Sequence, residues 1–243
     1  LPLGAYGCCW GTWLVAVLPY VEQNDLAERY HYEHKYAQYT SEPDDCRYGH
    51  ATNKPVTTQR IDVYTCPSDS HHDAWGITKH NYVGNYGNTT YGGTSPFYGE
   101  IFGGAPFSYG SMGEKGQTLR DTTDGLSNTL LISESIQGHE LDLRGFAWWG
   151  DGSHFTTFAT PNSSMPDRIY TMNYCRQDLT PQHPCAQSTS SDPHRHSARS
   201  NHVDGVHGGM MDGSARFFSN DIDLSVWRAM GTSQGGEVFT LED

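Results

Sequence analysis

The pattern that most constrains the fold lies near the C terminus, where two strand-like segments flank the dipeptide Asp212-Gly213. The first segment is Gly208–Met211 and the second is Ser214–Phe218. An Asp-Gly pair favours a tight hairpin turn because glycine adopts positive φ without steric cost. The next segment, Asp223–Met230, starts with a capping Asp and is followed by a glycine, as short helices often are. A hairpin followed by a helix predicts a chain of the α+β class.

The rest of the chain carries short strand signals separated by long polar stretches. Ser127–Glu134 is predicted as a strand, and so are Arg60–Cys66, Asn81–Tyr86 and Phe146–Trp149. With 27 Gly, 15 Tyr, 6 Trp and only 18% charged residues, the composition is typical of short strands joined by turns and loops. We expect one domain over residues 1–243 with an antiparallel sheet, long loops and a loop-rich insertion at about 160–201.

The N-terminal part of the chain is predicted to contain little regular structure. Gly11–Tyr20 indicates an apolar strand or a short helix that Pro19 ends, and Asn24 can cap a second short helix. Residues 37–58 are polar and hold prolines and a glycine, so they are predicted to form a loop.

The charge of the chain argues against nucleic-acid binding. The formal net charge is −13 with only 15 Lys and Arg, and these basic residues are scattered. Phosphate binding needs clustered Lys and Arg, whereas an acidic surface suits solubility or divalent cations. The sequence contains no run of about 18 apolar residues, which is the length that would indicate a membrane-spanning helix. Because the chain begins at Leu1, we expect any signal, anchor or assembly helix to lie upstream of it.

The six cysteines favour disulfides in an oxidising compartment. None forms a C-x-x-C pair, so the spacing suggests no zinc knuckle, redox pair or c-type haem site. Cys175 and Cys185 can close a short loop, and Cys46 and Cys66 can close a longer one. For the adjacent Cys8 and Cys9 we expect partners elsewhere in preference to a vicinal bridge. An even count in a Gly- and Tyr-rich acidic chain is typical of exported proteins.

The 13 histidines raise the question of a transition-metal site. Two groups of histidines lie beside aspartates in the sequence. The first contains His71 and His72, and the second contains His194, His196, His202 and His207. Zinc ligands are usually tied to a helix or a tight turn, whereas these spacings are loose. We favour solvated or hydrogen-bonded histidines, and a metal site stays open as the alternative.

A second cation candidate is the segment that leads into the strand at Ser127–Glu134. Asp121, Asp124 and Asn128 surround a glycine turn, and their side-chain oxygens are the ligands that Ca²⁺ prefers. The spacing is not that of an EF-hand. The alternative is an Asx-type turn in which the aspartates bond local N–H groups.

The chain has no P-loop or H-E-x-x-H pattern, and Gly231–Gly235, which spells G-x-S-x-G, follows a predicted helix and not the strand that a nucleophile elbow requires. Asp142 and Asp151 lie near Trp148 and Trp149, and carboxylates beside aromatics can mark a sugar-binding or glycosidase cleft. Such neighbours also occur by chance in a chain with this many aromatics. Trp148 and Trp149 are therefore candidates for ligand binding and no residue is a catalytic candidate.

Six separated segments, in chain order, carry a family resemblance. The first three are Leu18–Asn24, Cys66–Asp69 and Tyr82–Gly87, which are similar to motifs LPYLEQ, CPSD and Y-x-G-N-Y-G. Arg120–Leu130 is close to R-D-I-T-D-G-T-S-N-T, nine residues separate His202 from Asp212-Gly213, and the last segment is Trp227–Val238. Together they resemble a large bacterial family of pilin-like, pseudopilin-related proteins of unknown function that carries a C-terminal H-X9-DG signature.

The resemblance implies export, processing by a prepilin peptidase and a globular head whose N-terminal pilin helix precedes this chain. It implies a non-enzymatic subunit of an extracellular pilus-like, pseudopilus-like or secretion-related assembly, with other pilin-like subunits as partners. A carbohydrate- or solute-binding surface protein and a metal-dependent hydrolase are the alternatives. In the signature, a bond from His202 to Asp212 is expected to clasp a loop to the hairpin turn at Gly213. Calcium is the cofactor expected if any is bound.

Overall fold

The computed structural model describes residues 1–31, 46–110 and 114–240, where the strands form one five-stranded sheet and three two-stranded pairs. The strands are β1 Ala5–Tyr6, β2 Asp73–Ala74, β3 Ile77–Thr78, β4 Tyr82–Asn85, β5 Tyr109–Gly110, β6 Leu130–Glu134, β7 His154–Phe155, β8 Asp167–Ile169, β9 Cys185–Gln187, β10 Gly205–Met210 and β11 Ala215–Ser219. The helices are α1 Trp13–Val17, α2 Asn24–Arg29, α3 Lys54–Thr57 and α4 Leu224–Gly231, with short 3₁₀ turns between elements. The predicted α+β class is confirmed.

The main sheet is built around β6. Its strand order is β11-β10-β6-β4-β7. The pairs β11–β10, β10–β6 and β6–β4 are antiparallel as predicted, whereas β4 and β7 are parallel. Residues 135–153 connect β6 to β7 and reverse the chain direction, as a hairpin would. However, β7 does not pair with β6; it lies on the far side of β4. The sheet is therefore mixed, and its parallel edge places His154 opposite Gly84.

The C-terminal hairpin and helix follow their local sequence signals. Gly213 has φ of 87°, and the Gly213 amide donates to the Met210 carbonyl across 3.0 Å, so the turn forms where the Asp-Gly pair predicts it. Asp223 caps α4 by accepting hydrogen bonds from the amides of Ser225 and Val226. Both predictions are confirmed.

Helix α4 covers the core of the main sheet through Trp227. This indole is fully buried, packs against Phe155 and Phe218, and donates its Nε1–H to the Ala159 carbonyl across 2.9 Å. A buried aromatic side chain with its polar atom satisfied contributes several kcal/mol through apolar area. The helix is thereby fixed on the sheet.

A second core lies under α1 and contains the segment predicted as a strand at Phe146–Trp149. That prediction is wrong, because the segment forms consecutive turns in which Phe146 donates to Leu143 and Trp149 donates to Phe146. All four side chains are buried, which a run of apolar residues achieves in a turn that is surrounded by other elements. The predicted strand Arg60–Cys66 is also wrong, since Asp62–Tyr64 is a 3₁₀ turn.

The other N-terminal predictions have mixed outcomes. The apolar segment that ends at Pro19 is the short helix α1 followed by a 3₁₀ turn over Leu18–Val21, and α2 begins at Asn24. The predicted polar loop over residues 37–58 contains helix α3, with Pro55 in its first turn, where a missing N–H costs nothing. Residues 37–45 lie outside the described residues.

The insertion at residues 160–201 holds little regular structure but is tied to the rest of the chain. Its strands β8 and β9 pair in parallel over three residues. Asp167 of β8 is fully buried between Arg144 and Arg199, with Oδ2 3.2 Å from Arg144 Nη1 and 2.7 Å from Arg199 Nε. Arg144 also bonds both carboxylate oxygens of Asp142. This buried charge cluster anchors the insertion.

His80 lies in the core between two aromatic rings. Its imidazole contacts the rings of Tyr64 and Trp148 edge to face, each with a centroid distance of 5.5 Å. Both ring nitrogens are buried and have no hydrogen-bond partner. Burial lowers the pKa of His80 to about 3, and His71 and Arg60 act in the same direction. The folded chain therefore holds this imidazole neutral.

We expect His80 to make the fold sensitive to mild acid. Between pH 6.5 and pH 5 the unfolded chain protonates this imidazole and the folded chain does not, so the free energy of unfolding falls by about 2 kcal/mol. His80→Phe keeps the ring packing and should remove that part of the pH dependence. Urea denaturation of the parent, His80→Phe and the exposed-site control His50→Phe at pH 7 and pH 5 measures it. An unchanged pH slope in His80→Phe would contradict this expectation.

Candidate functional site

Three chemically active side chains converge at the end of β6. Glu134 is the last residue of that strand, and its Oε1 lies 3.1 Å from His202 Nε2. The same nitrogen lies 3.4 Å from Cys66 Sγ. Glu134 is 3% exposed and Cys66 is 7% exposed, so only His202 reaches the surface in part. We call these residues the β6-end cluster.

Asn81, just before β4, places Cys66 in this cluster. Its Oδ1 accepts from the Cys66 amide across 3.0 Å, and its Nδ2 donates to Asp69 Oδ2 across 2.6 Å. Asp69 Oδ1 in turn accepts from Asn201 Nδ2 across 2.7 Å. The Cys66–Asp69 segment is therefore bonded both to the residue that precedes β4 and to the residue that precedes His202.

Glu134 joins the 199–207 segment to the main sheet. Its Oε2 accepts from the His207 amide across 2.7 Å, and its backbone carbonyl accepts from the Arg199 amide across 2.8 Å. A buried carboxylate that accepts a backbone N–H and an imidazole nitrogen is compensated for the water it has lost. The Glu134 carboxylate thus adds to the backbone pairing that attaches the start of the hairpin to β6.

The β6-end cluster does not have the geometry of a nucleophile with its base. In a catalytic triad the acid holds one imidazole nitrogen and the nucleophile bonds the other. Here Glu134 and Cys66 both approach His202 Nε2. Burial raises the pKa of the Cys66 thiol, and the Glu134 carboxylate acts in the same direction. A buried thiol with a raised pKa is a poor nucleophile.

The cluster corrects the predicted signature clasp. His202 bonds Glu134 and not Asp212, because the Ser200–Gly205 turn directs the imidazole toward the end of β6. Asp212 Oδ1 accepts from the amide and the hydroxyl of Ser214, across 2.8 Å and 2.7 Å, and these bonds lower the pKa of Asp212. Asp212 and Gly213 therefore shape the hairpin turn by themselves.

The predictions for the cysteines have different outcomes. The predicted disulfide Cys175–Cys185 is confirmed, with Cα atoms 5.9 Å apart. The expectation that Cys8 and Cys9 have partners elsewhere is wrong, because the turn entered through Gly7 brings the two adjacent sulfurs together in a vicinal disulfide.

The predicted disulfide between Cys46 and Cys66 is also wrong. Neither residue belongs to a disulfide. Asn53 Nδ2 donates to the Cys46 carbonyl across 3.0 Å, which fixes that residue near α3, whereas Cys66 faces His202.

The aspartates of the calcium candidate bond protein groups. Asp121 accepts from the amide and hydroxyl of Thr118, which lower its pKa. Asp124 accepts from the amides of Gly235 and Gly236 across 2.8 Å and 2.9 Å. Asn128 donates to the Asp124 carbonyl across 3.1 Å. The alternative of local N–H bonds describes Asp121 but not Asp124, whose amide donors come from the C-terminal segment. Calcium binding stays a prediction, in which the ion would compete with these donors.

The two ligand-binding candidates are core residues. Trp148 is 0% exposed and Trp149 is 5% exposed. Trp148 stacks on Tyr30, and Trp149 meets Tyr174 edge to face. A sugar ring stacks on an accessible aromatic face, and neither indole offers one in this structure.

Two groups in the described ranges bring three metal-ligating atoms within 4.8 Å of one another. One is the β6-end cluster, and the other joins His194 and His196 to His154. Glu134 and His154 were missed from the sequence. Glu134 closes an apolar strand, where a carboxylate is a signal for a buried polar contact, but no sequence signal marks His154 as a partner of histidines 40 residues away.

The comparisons with known proteins give one match. Among curated proteins and among solved structures, nothing matches the chain. The family model described as a protein of unknown function, DUF1559, matches residues 4–225, which is nearly the whole chain. The chain therefore belongs to the DUF1559 family.

Proposed function

We propose that this chain is the non-enzymatic globular head of a pilin-like subunit, in an extracellular pilus-like, pseudopilus-like or secretion-related assembly. The family match over residues 4–225 supports the pilin-like assignment, because that family is associated with pilin-like proteins. The spacing between His202 and Asp212 matches an H-X9-DG signature, and we include that signature in the proposal. Other pilin-like subunits are the proposed partners.

The observation that carries the proposal is that the resembling segments bond one another. Cys66 of the second segment meets His202 of the fifth. Asn85 of the third segment donates to the carbonyl of Leu130 in the fourth, across 2.7 Å, and to that of Gly231 in the sixth, across 2.9 Å. Residues used in this way hold distant parts of a head together, which is what a structural subunit requires.

Asp124 joins two of these segments in the same way. It belongs to the fourth segment, and its carboxylate accepts the amides of Gly235 and Gly236 in the sixth. Its Oδ2 also accepts from the hydroxyl of Thr232 across 3.1 Å. A carboxylate that accepts three donors is committed to the fold rather than poised for chemistry.

The disulfides support a place outside the cytoplasm. Cys8–Cys9 and Cys175–Cys185 are both formed, and disulfides persist in oxidising compartments. Helices long and apolar enough to cross a bilayer are missing from the described ranges. The carbohydrate-binding alternative loses the support of Trp148 and Trp149, which are buried.

Immunogold electron microscopy of native cells tests the proposal. We expect an antibody against the exposed surface around Tyr170, which is 66% exposed, to label filaments or a surface layer on intact cells. Non-reduced peptides from the same material should contain Cys175 joined to Cys185. A cytoplasmic protein labelled in parallel controls for cell lysis. Label that appears only after the cells are opened, with both thiols free, would contradict the proposal.

A further inference from the structure

Three imidazoles meet at the parallel edge of the main sheet, where β4 separates β7 from the strand that carries the β6-end cluster. His154 lies on β7, and His194 and His196 come from the end of the insertion. The Nε2 atoms of His194 and His196 are 3.3 Å apart, and one ligating nitrogen of each histidine lies within 4.8 Å of the others. His154 and His196 are buried, and His194 is 12% exposed at its side chain.

Asp151 holds two of these rings at their Nδ1 atoms. Its backbone carbonyl lies 2.8 Å from His154 Nδ1, and its carboxylate Oδ1 lies 3.0 Å from His194 Nδ1. Both oxygens can only accept, so both Nδ1 atoms carry the proton. In the tautomer with the proton on Nδ1, each ring presents an unprotonated Nε2. This is the arrangement by which outer carbonyls and carboxylates orient histidine ligands of metals.

One of those lone pairs has no partner in the fold. His154 Nε2 is buried and forms no hydrogen bond. Buried polar atoms are satisfied in the great majority of cases, so an orphaned acceptor among two other imidazoles points to a missing ligand. A hydrogen bond from His196 to His194 accounts for the 3.3 Å contact but leaves His154 Nε2 unsatisfied.

From this geometry we propose that His154, His194 and His196 bind a first-row transition-metal ion of the zinc class, with Asp151 positioning the ligands. Zn–N bonds of about 2.0–2.1 Å in a tetrahedron place neighbouring nitrogens about 3.3 Å apart. The contact between His194 and His196 has that spacing. Three protein ligands leave a fourth position for water or a small anion, and the partly exposed His194 gives the ion a route in.

The electrostatics of the site agree with its geometry. Burial lowers the pKa of His154 and of His196, and the neighbouring histidines act in the same direction, so both rings stay neutral. Neutral imidazole is the ligand that zinc requires. Imidazole nitrogen selects zinc, copper or nickel over calcium, which prefers oxygen.

Zinc titration of the purified full chain tests this assignment. The chain is stripped with chelator, desalted and titrated with Zn²⁺ against a chromogenic chelator, and bound metal is counted by elemental analysis. We expect about one Zn²⁺ per chain, an affinity about 100-fold lower in His194→Gln, and one about 10–100-fold lower in Asp151→Asn. Cobalt substitution should give the visible absorption of tetrahedral Co²⁺ in the parent and not in His194→Gln.

His202→Gln is the matched control, because it alters the other group that could hold a metal and should leave the zinc affinity unchanged. Thermal melts of the metal-free variants check folding. His194 is the least buried of the three ligands, so His194→Gln is the variant least expected to unfold the chain. It tests zinc binding even where replacing the buried His154 prevents folding. Absence of stoichiometric zinc binding, equal affinity in His194→Gln, or loss of binding in His202→Gln alone would each overturn the proposal. Calcium added in the same melts tests the Asp121, Asp124 and Asn128 prediction separately.

Discussion

Replacing Asp167 by alanine is expected to lower the free energy of unfolding by about 3–5 kcal/mol. The carboxylate is completely buried between the guanidinium groups of Arg144 and Arg199. Its Oδ1 also accepts from the Ser197 amide across 2.9 Å. Removing it leaves Arg199 buried without its only carboxylate contact among the described residues.

The sign of this effect follows from which charge is left. Burial alone would raise the pKa of Asp167, but Arg199 and Arg144 hold it below its ordinary value. Because the pKa of Asp167 is lower in the folded chain, its ion pairs stabilise the fold at a pH above the unfolded-state pKa of about 4. This stabilisation is lost as the pH falls through the folded-state pKa. Two buried guanidinium groups without a carboxylate between them repel each other in a medium of low dielectric constant.

Urea denaturation of three variants separates the buried charge from its hydrogen bonds. Asp167→Asn keeps the shape of the side chain and should lose less free energy of unfolding than Asp167→Ala. Asp178→Ala is the matched control, because Asp178 pairs with Arg176 at the surface and such pairs contribute little. If Asp167→Ala and Asp178→Ala have equal stability, the insertion is not anchored by the buried cluster.

The elements that the sequence predicts well are those specified by neighbours in the chain. The turn at Gly213 needs only positive φ, and the start of α4 needs only Asp223 and the two amides it caps. Phe146–Trp149 shows the opposite case. Four buried residues in a row are compatible with a central strand and with a turn inside the core. The turn forms because of the elements packed around it, and their positions are not evident from the sequence.

The cysteines divide for the same reason. Cys175 and Cys185 are ten residues apart, and a loop of that length closes at a low entropy cost. Cys46 and Cys66 lie on either side of α3 in the chain, and Asn81, which is distant in sequence from Cys46, bonds the Cys66 amide and places the thiol at His202. The pairing of Cys8 with Cys9 depends on a local turn through Gly7, and glycine alone does not specify that turn.

Within the candidate site, the sequence indicated His202 but not its partner. The H-X9-DG spacing suggests a contact within the hairpin, because Asp212 is near in sequence and carries the right charge. Glu134 is 68 residues away and becomes the partner through strand pairing, since Ser133 lies opposite Gly208 in the sheet. Such a contact depends on the register of two strands, which one sequence does not determine.

Glu134→Ala is therefore expected to lower the free energy of unfolding by about 3 kcal/mol, whereas Asp212→Ala should lower it by less than about 1 kcal/mol. The alanine leaves the His207 amide without its acceptor and His202 without its carboxylate. The Asp212 carboxylate bonds Ser214 at an exposed turn, and water can replace the carboxylate there. The two variants thus compare the contact seen in the structure with the one suggested by the spacing.

Amide exchange sharpens the comparison. In Glu134→Ala the His207 amide should exchange faster than in the parent, while amides in the capped first turn of α4 should exchange at a rate set only by the lower global stability. Glu134→Gln should lie between, because its carboxamide oxygen can still accept the His207 amide. A larger loss of stability in Asp212→Ala than in Glu134→Ala would mean that the hairpin turn, and not the end of β6, holds this part of the head together.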